Sequence, residues 1–116
     1  MKKMTKKLHD ADAQTLFFES ITKRFLKERG VTEGKMFGTS CVKVKGKIFT
    51  FYWKDRMVLK LPADRVAELI DSKKGIYFDP GHGRISKEWV AVAPSSQSEW
   101  LSLAREAKNY VTAGSR

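Results

Sequence analysis

The chain has 116 residues, 41% of them hydrophobic, and a formal net charge of +10. That length sets a single domain able to bury about two-thirds of its unfolded surface, and seven Phe, three Tyr and three Trp exclude disorder for its body. One cysteine excludes an internal disulfide and suits a reducing compartment. No run approaches the roughly 20 apolar residues of a membrane span. The opening MKKMTKKLHD has the charge of a signal peptide but no apolar run after it, so a cytoplasmic protein is expected.

Residues 1–9, rich in Lys, read as a flexible basic tail, and residues 10–113 as one α+β domain. A helix is expected from about residue 12 to residue 29, with Asp10 or Asp12 as N-cap and Gly30 just past its end. Ala13, Phe17, Ile21 and Phe25 recur every four residues, with Leu16 and Phe18 beside them, as an apolar stripe does. Residues 31–35 read as a connector.

Residues 36–61, MFGTSCVKVKGKIFTFYWKDRMVLKL, form the organising stretch: three strand-like runs joined by polar turns, an antiparallel meander. A two-residue turn at Lys45-Gly46 sets Val42 opposite Phe49 and Val44 opposite Lys47. One face then holds Val42, Val44, Phe49, Phe51 and Trp53. A three-residue loop of Lys54, Asp55 and Arg56 adds Met57, Leu59 and Leu61 to that face and buries it. The reverse face becomes Cys41, Lys43, Ile48, Thr50, Tyr52, Val58 and Lys60.

Pro62 or Ala63 opens a short helix carrying Val66, Leu69 and Ile70 and stopping near Gly75. Residues 76–78 make a fourth strand, Asp79-Pro80-Gly81-His82-Gly83 a turn, and residues 86–92 a fifth strand ended by Pro94. Ser96 and Glu99 form a capping box. The last helix follows, with Trp100, Leu103, Ala104, Ala107 and Val111 on its inner face. The order is α-β-β-β-α-β-β-α, an antiparallel sheet with helices packed on one face.

The order and spacing of several short stretches resemble the TfoX N-terminal-domain-like family, related in fold to the YjbR/MmcQ-like group. They are Met36-Phe37-Gly38, Gly46-Lys47-Ile48-Phe49, Leu59-Lys60, Gly75 with Tyr77-Phe78, and Lys87-Glu88-Trp89-Val90 leading to Pro94. The last helix, from Trp100, fits as well, so the likeness spans residues 12–112. It implies the α+β fold just described, a frequent dimer and, in some members, a link to competence regulation. It supplies no catalytic residues. The YjbR-like group has been labelled DNA-binding. Thr39 stands where the pattern often has a second Gly, and Lys45 where it has an acidic residue, which makes this hairpin more basic than the family's.

No catalytic, metal or cofactor site is expected. His9 and His82 lack the company a metal needs, Cys41 has no base beside it, and no phosphate-cradling Gly loop occurs. A non-enzymatic binding or regulatory module is expected, acting through protein contacts that include self-association. Cys41, Ile48, Tyr52 and Val58 are the interface candidates, an apolar patch with a cationic rim. The alternative is nucleic-acid binding by Lys43, Lys45, Lys47, Lys54, Arg56 and Lys60. The charge excess points there: residues 30–60 hold seven basic and two acidic residues, whereas residues 61–116 hold eight and seven.

Overall fold

A computed structural model of the chain describes residues 2–36, 38–78 and 86–114, with side chains from Ala13 onward. Three helices and six strands follow one another as α1 (Lys2–Leu26), β1 (Val31–Met36), β2 (Thr39–Val44), β3 (Lys47–Trp53), β4 (Arg56–Lys60), α2 (Ala63–Asp71), β5 (Gly75–Tyr77), β6 (Trp89–Val92) and α3 (Gln97–Thr112). The strands form one antiparallel sheet in the order β1-β2-β3-β4-β6-β5. All three helices lie against one side of it.

The helices are dictated by their apolar stripes. Phe18, Ile21 and Phe25 of α1, Val66 and Leu69 of α2, and Trp100, Leu103, Ala104, Ala107 and Val111 of α3 are all buried. They close over Val42, Val44, Phe49, Met57, Leu59, Val90 and Val92 of the sheet. At the start of α3 the Ser96 hydroxyl accepts the Glu99 amide at 3.2 Å, so half of the capping box forms. The other half does not: the Glu99 carboxylate takes Ser95 Oγ and Lys74 Nζ instead. The turn expected at residues 79–83 lies outside the described residues.

Three expectations are corrected. Helix α1 runs from Lys2, so Asp10 and Asp12 lie within it rather than capping it, and the stretch expected as a flexible tail is its first turns. No Gly or Pro interrupts residues 2–26, and Lys is a good helix former. The expected connector at residues 31–35 is a strand at the edge of the sheet. Only Val31 of it is fully buried, which is why its sequence shows no apolar alternation.

The third correction concerns register. Lys45 and Gly46 form the two-residue turn, with φ of 52° and 80°, and Val44 pairs with Lys47. Further along, Lys43 pairs with Ile48 but Val42 pairs with Thr50 rather than Phe49. Three residues of β3 therefore oppose two of β2, a β-bulge. Beyond it every side chain changes face: Phe49 stays under the helices, whereas Phe51 and Trp53 emerge on the reverse side and Tyr52 turns inward. The next turn is a two-residue one, not three, because Trp53 pairs with Arg56. Lys54 and Asp55 take left-handed φ of 49° and 65°, the geometry that suits the twist of a tight hairpin. The bulge and the shorter turn compensate, so Met57 and Leu59 still reach the helix side.

The end of α1 is tied to α3 by charge. Glu28 receives both Arg105 amino groups, at 2.8 and 2.6 Å, and Lys108 at 3.2 Å. The Arg105 hydrogen bonds, with Lys108 assisting against the opposing cost of burial, hold the Glu28 carboxyl down at about 2. A carboxylate depressed in the folded state stabilises above its ordinary value of 4.5, and that contribution is lost as pH falls toward 2. Melting temperature followed from pH 6 to about pH 2 should therefore fall more steeply for the unaltered protein than for Glu28→Gln, which should already have lost roughly 1–3 kcal/mol at neutral pH.

Candidate nucleic-acid interface on the uncovered sheet face

The side of the sheet away from the helices is not a bare strand surface. Cys41, Phe51, Val58, Phe78 and Ala91 form a second buried cluster there. Phe78, just beyond β5, folds back so that its ring meets Phe51 at 5.2 Å and Trp53 at 5.0 Å, both edge-on. Trp89 tilts against Phe51 at 5.9 Å. Edge-to-face contacts of this kind match the positive rim of one ring to the negative face of the next. Met36, Ile48, Trp53 and Trp89 border the cluster and are half-buried.

Cations surround this aromatic patch. Lys54 Nζ sits 4.7 Å from the Trp53 ring centre, and Lys60 Nζ 5.7 Å from that of Trp89. Arg56 stands beside Trp53 across the β3–β4 pair. Lys43 reaches the face over Gly34, which has no side chain to block it. A Cβ on Gly34 would come within 3.0 Å of Lys43 Cε and 3.4 Å of Cys41 Sγ. Glu88 approaches Lys60 at 3.8 Å. Among the described residues Lys43, Lys54 and Arg56 take part in no ion pair.

Around α2 and α3 the cations are paired within the chain, whereas Lys23, Arg24, Lys27 and Arg29 stand exposed along and just past the end of α1. Arg65 clasps Glu106 at 2.9 and 3.1 Å, Lys74 meets Glu99 at 3.0 Å, and Arg105 and Lys108 share Glu28. Two concavities of about 570 and 410 Å³ lie between α2 and α3, and the Arg65–Glu106 pair forms a wall of both. Their charges are spent on each other. Lys43, Lys54 and Arg56, unpaired among the described residues, stand instead on the sheet face away from the helices.

Four of the six cations expected to touch nucleic acid, Lys43, Lys54, Arg56 and Lys60, are thus gathered on one face. Lys45 and Lys47 are exposed at the far hairpin, where the Lys45 amide bonds the Gly30 carbonyl at 2.9 Å, so they border the end of α1. Of the expected protein-contact patch, Cys41, Ile48 and Val58 come together on this face and Tyr52 does not. Cys41 and Val58 are fully buried within the chain, and burial pushes the Cys41 thiol up. Tyr52 lies on the helix side, its ring against Phe18 and Trp100 and its hydroxyl donating to Asp55 at 2.9 Å. Of the four, Ile48 alone stays partly exposed on this face. Trp53 reads as core in the sequence because the bulge leaves no mark in the residue pattern. Trp89 lies on β6, where the register is unbroken, and no residue signal singles it out.

Among the described residues no group of three or more His, Cys, Asp and Glu is placed to hold a metal. The side chain of His9, and His82 with Asp79, lie outside them. No helix of the described residues is long and apolar enough to cross a membrane.

A six-stranded antiparallel sheet, covered by helices on one side and presenting aromatic and basic groups on the other, defines a small α+β sheet protein. Residues 26–107 match the model of the YjbR family, and the chain belongs to that family. The matched span runs from the end of α1 into α3, and so contains the whole sheet. No curated protein and no solved structure matches the chain.

Proposed function

We propose that this protein is a non-enzymatic binding module that takes single-stranded nucleic acid on the uncovered face of its sheet. The observation that carries the reading is Trp53 and Trp89 half-buried on that face with Lys43, Lys54, Arg56 and Lys60 around them. Single-stranded nucleic acid offers both complements at once, a phosphate backbone for the cations and unpaired bases to stack on indole rings. A protein partner on the same face is the second reading. It keeps Ile48 of the expected contacts and adds Met36 beside it, while Cys41 and Val58 are buried and Tyr52 lies on the helix side.

The likeness to TfoX N-terminal domains, with a regulatory role, belongs to this proposal. It is supported by the order of the Met36, Gly38, Gly46, Leu59 and Trp89 stretches. A reducing, cytoplasmic setting belongs to it as well, supported by a free and buried Cys41.

Tryptophan emission tests the proposal. Trp100 is fully buried in the helix-side core, so a bound strand reports through Trp53 and Trp89. Titration with an oligodeoxythymidine at low salt should give saturable quenching that Trp53→Phe reduces and that Trp53→Phe with Trp89→Phe largely removes. Affinity should fall linearly on a log–log plot against salt, with a slope of about −0.7 per phosphate neutralised. Absence of binding at low salt, or equal affinity for duplex and single strand, would contradict it.

A further inference from the structure

Among the described residues the sheet ends at two edges, β1 and β5. Strand β5 has only three residues, too few to template a neighbour. Strand β1 has six, paired to β2 without a break in register. The Gly30 carbonyl accepts from Lys45 across that pair. Alternate residues of an antiparallel strand direct their backbone groups to the same side. Residues 32, 34 and 36 therefore turn theirs toward β2, and Glu33 and Lys35 turn theirs to the open edge, whereas the Val31 amide already donates to the Glu28 carbonyl at 3.3 Å. Glu33 and Lys35 are exposed, and neither is in an ion pair among the described residues.

We propose that β1 pairs antiparallel with β1 of a second copy about a two-fold axis at Gly34, so that Glu33 of each strand lies opposite Lys35 of the other. A two-fold axis in such a pair must set one residue opposite its own copy. Centred on Glu33 it opposes two carboxylates, and centred on Lys35 two ammonium groups, both destabilising. A centre nearer either end shortens the ladder. At Gly34 both charge pairs are complementary. Each is also a bonded pair, in which the outward N–H and C=O groups of the two residues exchange hydrogen bonds. Gly34 and its copy then form the close, non-bonded pair and bring no side chains into it.

The axis stands normal to the sheet, so the helices of both copies fall on one side. Two six-stranded sheets become one of twelve strands, with both aromatic and cationic faces on the other side. The pairing follows from the edge alone and is independent of what those faces bind.

Sedimentation equilibrium of the full chain tests it, the expected mass being twice 13.3 kDa. Glu33→Lys and Lys35→Glu should each weaken the dimer about tenfold or more. Glu33→Lys combined with Lys35→Glu should restore it, since the exchanged charges again face their opposites. A monomer persisting to about 1 mM, a dimer indifferent to both single changes, or a double variant no tighter than the singles would overturn the proposal. Amide exchange on the unaltered protein gives a second reading: protection of Glu33 and Lys35 should rise with protein concentration while that of Gly34 stays constant. Rising protection of Gly34 instead would also overturn it.

Discussion

Phe51→Ala is expected to destabilise the protein by about 3–5 kcal/mol in urea unfolding, as much as Trp100→Ala on the helix side. Phe51 is 1% exposed although no helix of the described residues packs on its side of the sheet. Its burial comes from Val58, Phe78 and Ala91, with the Phe78 and Trp89 rings packed against it. The expectation becomes specific in a double-mutant cycle. Phe51→Ala and Phe78→Ala should couple by about 0.5–1.5 kcal/mol, because they remove the same ring contact. Phe51→Ala and Trp100→Ala lie in separate clusters on opposite sides of the sheet and should add. Coupling to Trp100 and none to Phe78 would place Phe51 beneath the helices and remove the bulge from the account.

Reversing two charges on the uncovered face, Lys43→Glu with Arg56→Glu, is expected to weaken single-strand binding about 10- to 100-fold near 50 mM salt. The salt slope should flatten by about 0.7 for each phosphate contact removed. These two positions are chosen because neither holds an ion pair among the described residues, so reversal breaks no internal charge contact. A matched control carries the same charge change elsewhere: Lys23→Glu with Lys27→Glu, both exposed on or just past α1. A general positive field predicts equal losses for both variants. A built face predicts a large loss for the first and a small one for the second. Fluorescence anisotropy of a labelled strand reads both.

Helix-side architecture was legible in the residues for a physical reason. Trp100, Leu103, Ala104, Ala107 and Val111 repeat at helical spacing, Ser96 stands where a cap must, and Lys45-Gly46 is the chemistry of a left-handed turn. Strand β3 offered no such guide. In Ile48-Phe49-Thr50-Phe51-Tyr52-Trp53 nearly every residue is large and apolar, so alternation cannot say which side is inward. Such a run is what a strand buried on both faces requires. With no alternation, a one-residue bulge is invisible and moves Phe51, Tyr52 and Trp53 to the wrong face in any regular register. Strand β1 failed for the opposite reason, since Thr32-Glu33-Gly34-Lys35 is an edge with almost nothing to bury.

The most direct test is the anisotropy titration of one labelled oligodeoxythymidine against the unaltered protein, the Lys43/Arg56 variant and the Lys23/Lys27 control, side by side at low salt. The sheet-face account predicts binding by the first and third with near-equal affinity, and a loss of about tenfold or more confined to the second. Equal weakening of both variants, or no binding by the unaltered protein, would contradict it.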